Sequence, residues 1–154
     1  MLILVTALLL GSHARGTGQA EFSFARFKMQ ADKVRLTLKP GELDLHYEAC
    51  SGDSVGPAAY LTFPVPPELK SLEALSGQRL FLNAPTPAPY RNELIPDSGM
   101  TRLKVVRATL VVEQAGGGAL QARINGSGLL NGQPVTLQGR VQGPVTCEPA
   151  RIDR

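Results

Sequence analysis

The sequence predicts an all-β fold, and three observations support that prediction. Apolar and polar residues alternate with a period of two over most of the chain beyond residue 20, which is the spacing of a strand with one buried face. Turn-forming residues separate these runs, and the chain contains 16 Gly and 12 Pro. A single short segment breaks the alternation. We therefore expect an antiparallel β-sandwich, or a partly open barrel, of about eight or nine short strands with one short helix over about residues 67–76.

The first predicted strands lie between residues 22 and 63. We interpret Phe22, Phe24, Phe27 and Met29 as one strand with an irregularity. The alternating runs 34–38 and 43–47 flank Pro40-Gly41, which predicts an antiparallel hairpin with one solvated face. Residues 59–63 form a further short strand that Pro64 ends.

The predicted helix follows this strand. Pro67 suits the first position of a helix, and Gly77 suits the position just after its end. Three leucines between them share one face of the helix, namely Leu69, Leu72 and Leu75. The helix is expected to cover an open edge or end of the sheet. Residues 79–82 then return to strand, and residues 83–99 form a loop with four prolines, whose missing N–H groups prevent regular strand pairing.

The C-terminal half predicts the longest strand and a second hairpin. Residues 101–114 change the parity of their apolar side chains near Val106-Arg107, which indicates a bulge. Gly116–Gly118 is a turn, and Asn131-Gly132 is a strong hairpin signal because both residues tolerate positive φ. We expect Gly143-Pro144 to turn the chain into a last short strand that ends near Cys147.

The N-terminus predicts an exported protein. An apolar run that ends at Leu10 is too short to span a bilayer, so residues 1–20 are interpreted as a signal peptide, cleaved after Ala14 or Ala20. The alternative is a buried first strand. Residues 21–148 then form a single β domain, and residues 149–154 a flexible tail. The expected location is periplasmic or secreted, and 11 Arg against 5 Lys favours a bacterial source.

The two cysteines, the net charge and the histidines limit the kinds of function that the sequence allows. An even cysteine count in an exported chain predicts a Cys50–Cys147 disulfide; the alternative is two unrelated thiols. The net charge of +3 is too small and too scattered for a nucleic-acid surface. After leader removal one histidine, His46, remains, and we expect it to be exposed rather than part of a metal site with Asp44 or Glu48.

One short motif suggests catalysis. Residues 52–56 fit G-x-S-x-G, the nucleophile elbow of α/β-hydrolases, with Ser54 as the nucleophile. The elbow requires a helix after the serine, whereas Pro57 and a strand follow here. No histidine follows His46 to act as the base, so a serine hydrolase is the weakest of the functional hypotheses.

Two surfaces are candidates for binding. The proline-rich loop offers a partner-binding set, although such side chains more commonly pack on their own domain: Tyr90, Arg91, Glu93, Leu94 and Ile95. The C-terminal hairpin offers a polar sheet face suited to a carboxylate or a sugar, although such a face is commonly only solvated: Arg123, Asn125, Gln138 and Arg140.

Together these patterns predict an exported, non-catalytic binding or structural module. We expect no cofactor and no membrane span after leader removal. The expected partner is a protein or a small ligand that the sequence does not identify. The alternative is a small-ligand-binding barrel with an apolar interior lined by phenylalanines, namely Phe22, Phe24, Phe63 and Phe81.

Overall fold

The computed structural model describes residues 16–49, 56–83, 92–97 and 101–149. These residues form strands with one 3₁₀ turn, and the elements are β1 (Gly18–Phe24), β2 (Phe27–Lys39), β3 (Glu42–Glu48), β4 (Ala58–Pro64), η1 (Glu73–Leu75), β5 (Arg79–Asn83), β6 (Glu93–Ile95), β7 (Leu103–Gly116), β8 (Ala119–Leu130) and β9 (Gln133–Cys147).

The strands form one sheet that closes on itself. Eight strands follow each other around the ring in the order β1-β2-β3-β4-β6-β7-β8-β9, and β9 pairs with β1 to close it. The extra strand, β5, pairs with β7. All pairings are antiparallel except a short parallel contact between β2 and β9. The all-β prediction and its barrel alternative are confirmed. The sandwich alternative is wrong, and the barrel is closed, because β7 and β8 pair along nearly their whole length.

The two predicted hairpins are present. Leu38 pairs with Leu43 across Pro40-Gly41, and Leu130 pairs with Gln133 across Asn131-Gly132. Asn131 and Gly132 have φ values of 51° and 79°, so both adopt the left-handed conformation that a two-residue hairpin turn needs. The predicted bulge in the longest strand is also confirmed, because the β7–β8 register shifts between Val105 and Arg107.

Two predicted elements differ in the structure. The run from Phe22 to Met29 is a hairpin rather than one strand, since Phe24 pairs with Phe27 and Ala25 turns the chain with φ of 50°. Gly143 does not turn the chain, and β9 continues through it to Cys147. A Cβ atom at Gly143 would lie 2.3 Å from the Gly18 Cα, so this glycine permits close approach of two strands.

The predicted helix over 67–76 is wrong in length and type. Only Glu73–Leu75 forms a 3₁₀ turn, in which the Ser71 hydroxyl accepts the Ala74 N–H at 3.2 Å. A segment this short gains little from helix formation alone, so packing decides its conformation. Leu72 and Leu75 are buried and, three residues apart, lie on one side of a 3₁₀ turn.

Segment 65–78 closes one end of the barrel. The Val65 N–H donates to the Gly41 carbonyl at 2.9 Å, and the Gly77 N–H donates to the Val112 carbonyl at 2.9 Å. These bonds join the segment to the β2–β3 turn on one side and to β7 on the other. It therefore covers an end of the barrel, as predicted for the helix.

The barrel interior is a single apolar cluster to which every strand of the ring contributes. The largest completely buried side chains include Phe22, Phe24, Phe63, Leu61 and Ile124. At about 25 cal/mol per Å² of buried apolar surface, this cluster is the main source of stability. None of the described residues forms a helix of the length and apolarity required to cross a membrane.

The signal-peptide prediction concerns residues 1–20, which include the first three residues of β1. Residues 1–15 lie outside the described residues, and the leader stays a prediction. β1 begins at Gly18, and Ala20 is buried within it. Cleavage after Ala14 would keep β1 whole, whereas cleavage after Ala20 would remove three of its seven residues.

Candidate ligand-binding groove

A regular array of polar side chains covers the outer wall of the barrel on β1, β9 and β8. Alternate residues of these strands point outward, because their neighbours form the core. Strand register aligns them in three rows of three. We call this array the polar grid: Gln19, Gln142 and Gln121; Glu21, Arg140 and Arg123; Ser23, Gln138 and Asn125.

The polar grid is large enough for a ligand of several units. Rows lie about 6.8 Å apart along the strands, and neighbouring strands lie about 4.8 Å apart, so the grid covers about 14 by 10 Å. All nine residues are exposed. The twist of a barrel makes its wall a hyperboloid, which is concave along its length even though it is convex around its circumference.

Two depressions lie on this wall. The first, of about 360 Å³, lies over the second and third rows and includes Ser23, Asn125 and Gln138. The second, of about 220 Å³, lies over the first and second rows and includes the three glutamines and Glu113. Glu21 and Arg140 line both, so the depressions adjoin at the middle row, and we call the two together the groove.

The middle row places two arginines side by side. Arg123 and Arg140 are direct partners in the β8–β9 ladder, and like charges directly opposite each other destabilise a sheet. The Glu113 carboxylate lies 3.7 Å from the Arg123 Nε and offsets one of the charges. Glu113 reaches it because the β7–β8 register shifts between Val112 and Gln114.

Arg140 differs from Arg123. Glu21 is its direct partner on β1, yet among the described residues no carboxylate lies within 4.0 Å of the Arg140 guanidinium. Both charged groups instead line the groove, where each can contact a ligand. The middle row therefore offers an available cation beside an available anion.

All four residues of the predicted polar sheet face belong to the grid. The structure brings together Arg123, Asn125, Gln138 and Arg140 in the larger depression, and no described residue that lines either depression is aromatic. The sequence patterns did not reveal the contribution of β1. Its signal was the alternation of Gln19, Glu21 and Ser23 with buried residues, but the assignment of residues 1–20 to a leader concealed the first of these.

Three of the five predicted partner-binding residues lie in a strand. Glu93, Leu94 and Ile95 form β6, which lies between β4 and β7, and all three are buried. Burial places these three side chains against their own domain, which is the alternative considered for them, and Leu94 and Ile95 complete the barrel wall. Tyr90 and Arg91 lie outside the described residues.

The histidine is exposed, as expected, and its partner is Glu48. The His46 Nε2 lies 3.2 Å from the Glu48 Oε1, which also accepts the Tyr60 hydroxyl. Asp44 instead pairs with Lys39 at 3.1 Å. The described residues contain no group of three or more His, Cys, Asp or Glu side chains that could hold a metal ion. Ser54 lies outside the described residues.

The predicted interior lining is only partly correct. Phe22, Phe24 and Phe63 are buried in the barrel, whereas Phe81 is 56% exposed on the outside of β5. The alternation of β5 places Leu80 and Leu82 inward, so Phe81 must point outward.

The predicted disulfide stays a prediction, because Cys50 lies outside the described residues. Cys147 is exposed, and its ladder partner on β2 is Leu38. Leu38 in turn pairs with Leu43, near the start of β3, whereas Ala49 follows the other end of that strand. A count of free thiols in the denatured, unreduced protein tests the pairing.

The chain matches no protein-family model, no curated protein and no solved structure.

Proposed function

We propose that the protein is an exported, non-catalytic binding module that holds a polar, hydroxyl-rich ligand in the groove over the polar grid. The observation that supports this most directly is the juxtaposition of two depressions lined by amides, arginines and a carboxylate. Amide side chains both donate and accept hydrogen bonds, which matches the dual character of hydroxyl groups.

The scaffold beneath the groove also favours binding. β9 pairs with β1 and β8 along the grid, so each backbone position is set by ladder hydrogen bonds. A rigid wall lowers the entropy that binding must overcome, because few groups become ordered when the ligand arrives. Because the groove is shallow and polar, we expect dissociation constants in the millimolar to micromolar range for a short ligand.

A chemical-shift titration tests this function. ¹⁵N-labelled protein is titrated with cellobiose, cellobiouronic acid and triglycine, and we expect saturable shifts on β1, β8 and β9 with at least one of the two sugars. Asn125→Ala combined with Gln138→Ala should weaken binding about tenfold, because two amide contacts are lost. Gln133→Ala, at the exposed tip of the β8–β9 hairpin, is the matched control and should leave affinity unchanged.

Two outcomes would contradict the proposal. Saturable shifts that cluster away from the grid, or no saturation with either of the two sugars, would remove the groove as the proposed binding site. Separately, a fluorophosphonate label that forms on the natural chain and is lost in Ser54→Ala would show that the protein is a hydrolase.

The export component has its own test. Mass spectrometry of the mature protein is expected to place the N-terminus at Arg15, since cleavage after Ala14 leaves β1 complete. A mature N-terminus at Glu21 would show that the barrel forms without Gly18, Gln19 and Ala20 and would remove the first row of the grid on β1.

A further inference from the structure

The middle row of the polar grid indicates what kind of ligand the groove takes. Three charged side chains stand in line across three strands: Glu21, Arg140 and Arg123. The rows on either side carry only amides and one hydroxyl. Charge is therefore concentrated at the centre of the groove, where the two depressions adjoin.

The two arginines are only partly compensated. Arg123 shares its charge with Glu113 at 3.7 Å, whereas Arg140 has no carboxylate within 4.0 Å among the described residues. Two cross-strand arginines repel each other in the absence of a ligand. An anionic group bound between them would relieve that repulsion, and a carboxylate suits this position because its two oxygens match the planar donors of a guanidinium.

Glu21 restricts the anion to a single site. It lies beside Arg140 and lines both depressions, so a second negative charge in the groove would be repelled. Its carboxylate is instead an acceptor for hydroxyl or amine groups next to the ligand's acid. The ligand is thus predicted to carry one carboxylate among many neutral hydrogen-bonding groups.

We propose that the groove selects an acidic carbohydrate and binds a single uronate carboxylate between Arg123 and Arg140, with neighbouring hydroxyls on Glu21 and the flanking amides. This inference rests on the proposed binding function and specifies its ligand class. The rows above and below the arginines lie about 6.8 Å away, a spacing that allows adjacent sugar units to contact amide side chains.

The test compares two sugars that differ only in the acid. Cellobiouronic acid has one carboxylate where cellobiose has a hydroxymethyl group. Titration of the full chain, followed through the Nε–Hε signals of Arg123 and Arg140, is expected to give at least tenfold tighter binding of the acid. Raising the salt concentration from 20 to 200 mM should weaken the acid several-fold and leave cellobiose nearly unchanged.

Variants assign the effect to the grid. Arg140→Gln retains hydrogen-bonding ability without the charge and is expected to abolish the tenfold preference for the acid. Arg35→Gln is the matched control, since Arg35 is exposed on β2 with His46 rather than arginine opposite it. Unchanged dispersion of the amide spectrum confirms that each variant folds.

Three results would contradict part or all of this proposal. Equal affinity for the two sugars would overturn the uronate assignment and leave the binding function intact. Loss of the preference in Arg35→Gln as well as in Arg140→Gln would overturn the site. Failure of both sugars to saturate the natural chain would overturn the inference and the proposed function together.

Discussion

The barrel wall has two unlike sides, and their difference explains where the groove lies. On the long-strand side, β7, β8 and β9 have 14, 12 and 15 residues and pair almost continuously, and β1 belongs to this side because it pairs with β9 over nearly its whole length. On the short-strand side, β4, β5 and β6 have seven, five and three residues. One edge of β7 is shared between β5 and β6, so neither short strand runs the height of the wall.

On the short-strand side, a side-chain hydrogen bond continues the contact where the backbone pairing between β4 and β6 ends. β4 pairs with β6 only over Ala58–Tyr60, and beyond that point the Thr62 N–H donates to the Asn92 Oδ1 at 2.8 Å. Within the described residues no ladder joins β4 to β5. A ligand-binding surface benefits from preorganisation, so the polar grid is better placed on the continuous side.

The largest expected effect compares two phenylalanines, one inside the long-strand side and one outside the short-strand side. Phe22 is 1% exposed and packs where β9 has Gly139, whereas Phe81 is 56% exposed on β5. Phe22→Ala should lower the free energy of unfolding by about 3–5 kcal/mol because it leaves a cavity, and Phe81→Ala should change it by less than about 0.5 kcal/mol.

Urea unfolding followed by fluorescence or circular dichroism measures both changes. Comparable losses in the two variants would show that the outside of β5 contributes to stability as much as the core does. That result would contradict the division into an inner apolar and an outer solvated face.

A medium effect on stability is expected at the hydrogen bond between Thr62 and Asn92 on the short-strand side. Asn92 has φ of 46° and supplies the oxygen that accepts the Thr62 N–H. Asn92→Ala should cost about 2–3 kcal/mol, since it loses the acceptor and strains the backbone. Asn92→Gly keeps the backbone freedom, so it should cost about 1 kcal/mol less.

Hydrogen exchange locates this loss. The Thr62 amide should exchange faster in both variants, whereas the Ile124 amide on the long-strand side should change only by the shift in global stability. Unchanged Thr62 protection in Asn92→Gly would show that the side-chain bond does not hold β4 in place.

The smallest effect concerns the pair Lys39 and Asp44 near the β2–β3 turn. The hydrogen bond from the Lys39 ammonium to Asp44, together with the carboxylate charge, raises the pKa of Lys39 above its ordinary value of 10.5. A raised folded-state pKa means that the pair stabilises the protein below pH about 10.5 and loses this effect as the pH rises through the folded pKa. Because both side chains contact solvent, the contribution should be less than about 1 kcal/mol.

Unfolding free energies of the natural chain and Lys39→Met, measured from pH 8 to 12, test the sign. Their difference should shrink at alkaline pH. Lys33→Met, at an exposed lysine, is the control and should show no such trend. A difference that grows with pH would be inconsistent with the raised pKa.

Local sequence patterns were sufficient to predict much of the structure of the long-strand side. Period-two alternation identifies β8 and β9, Asn131-Gly132 specifies their turn, and the parity change near Val106 locates a bulge. Hairpin partners are close in sequence, so the polar face of Arg123, Asn125, Gln138 and Arg140 follows from the alternation alone.

Other features depend on contacts between residues that are distant in the chain. Closure of the barrel requires β1 to meet β9, and this pairing, which no local pattern encodes, adds Glu21 and Ser23 to the grid. The same applies to β6, where Leu94 and Ile95 complete the wall, and to segment 65–78, where packing at the barrel end favours a 3₁₀ turn. Alternation in the sequence determines which side of a strand is apolar. It does not determine which strands become neighbours, because a strand with a period of two can pair with any other strand of the same period. Burial of the apolar sides within the closed barrel decides the neighbours.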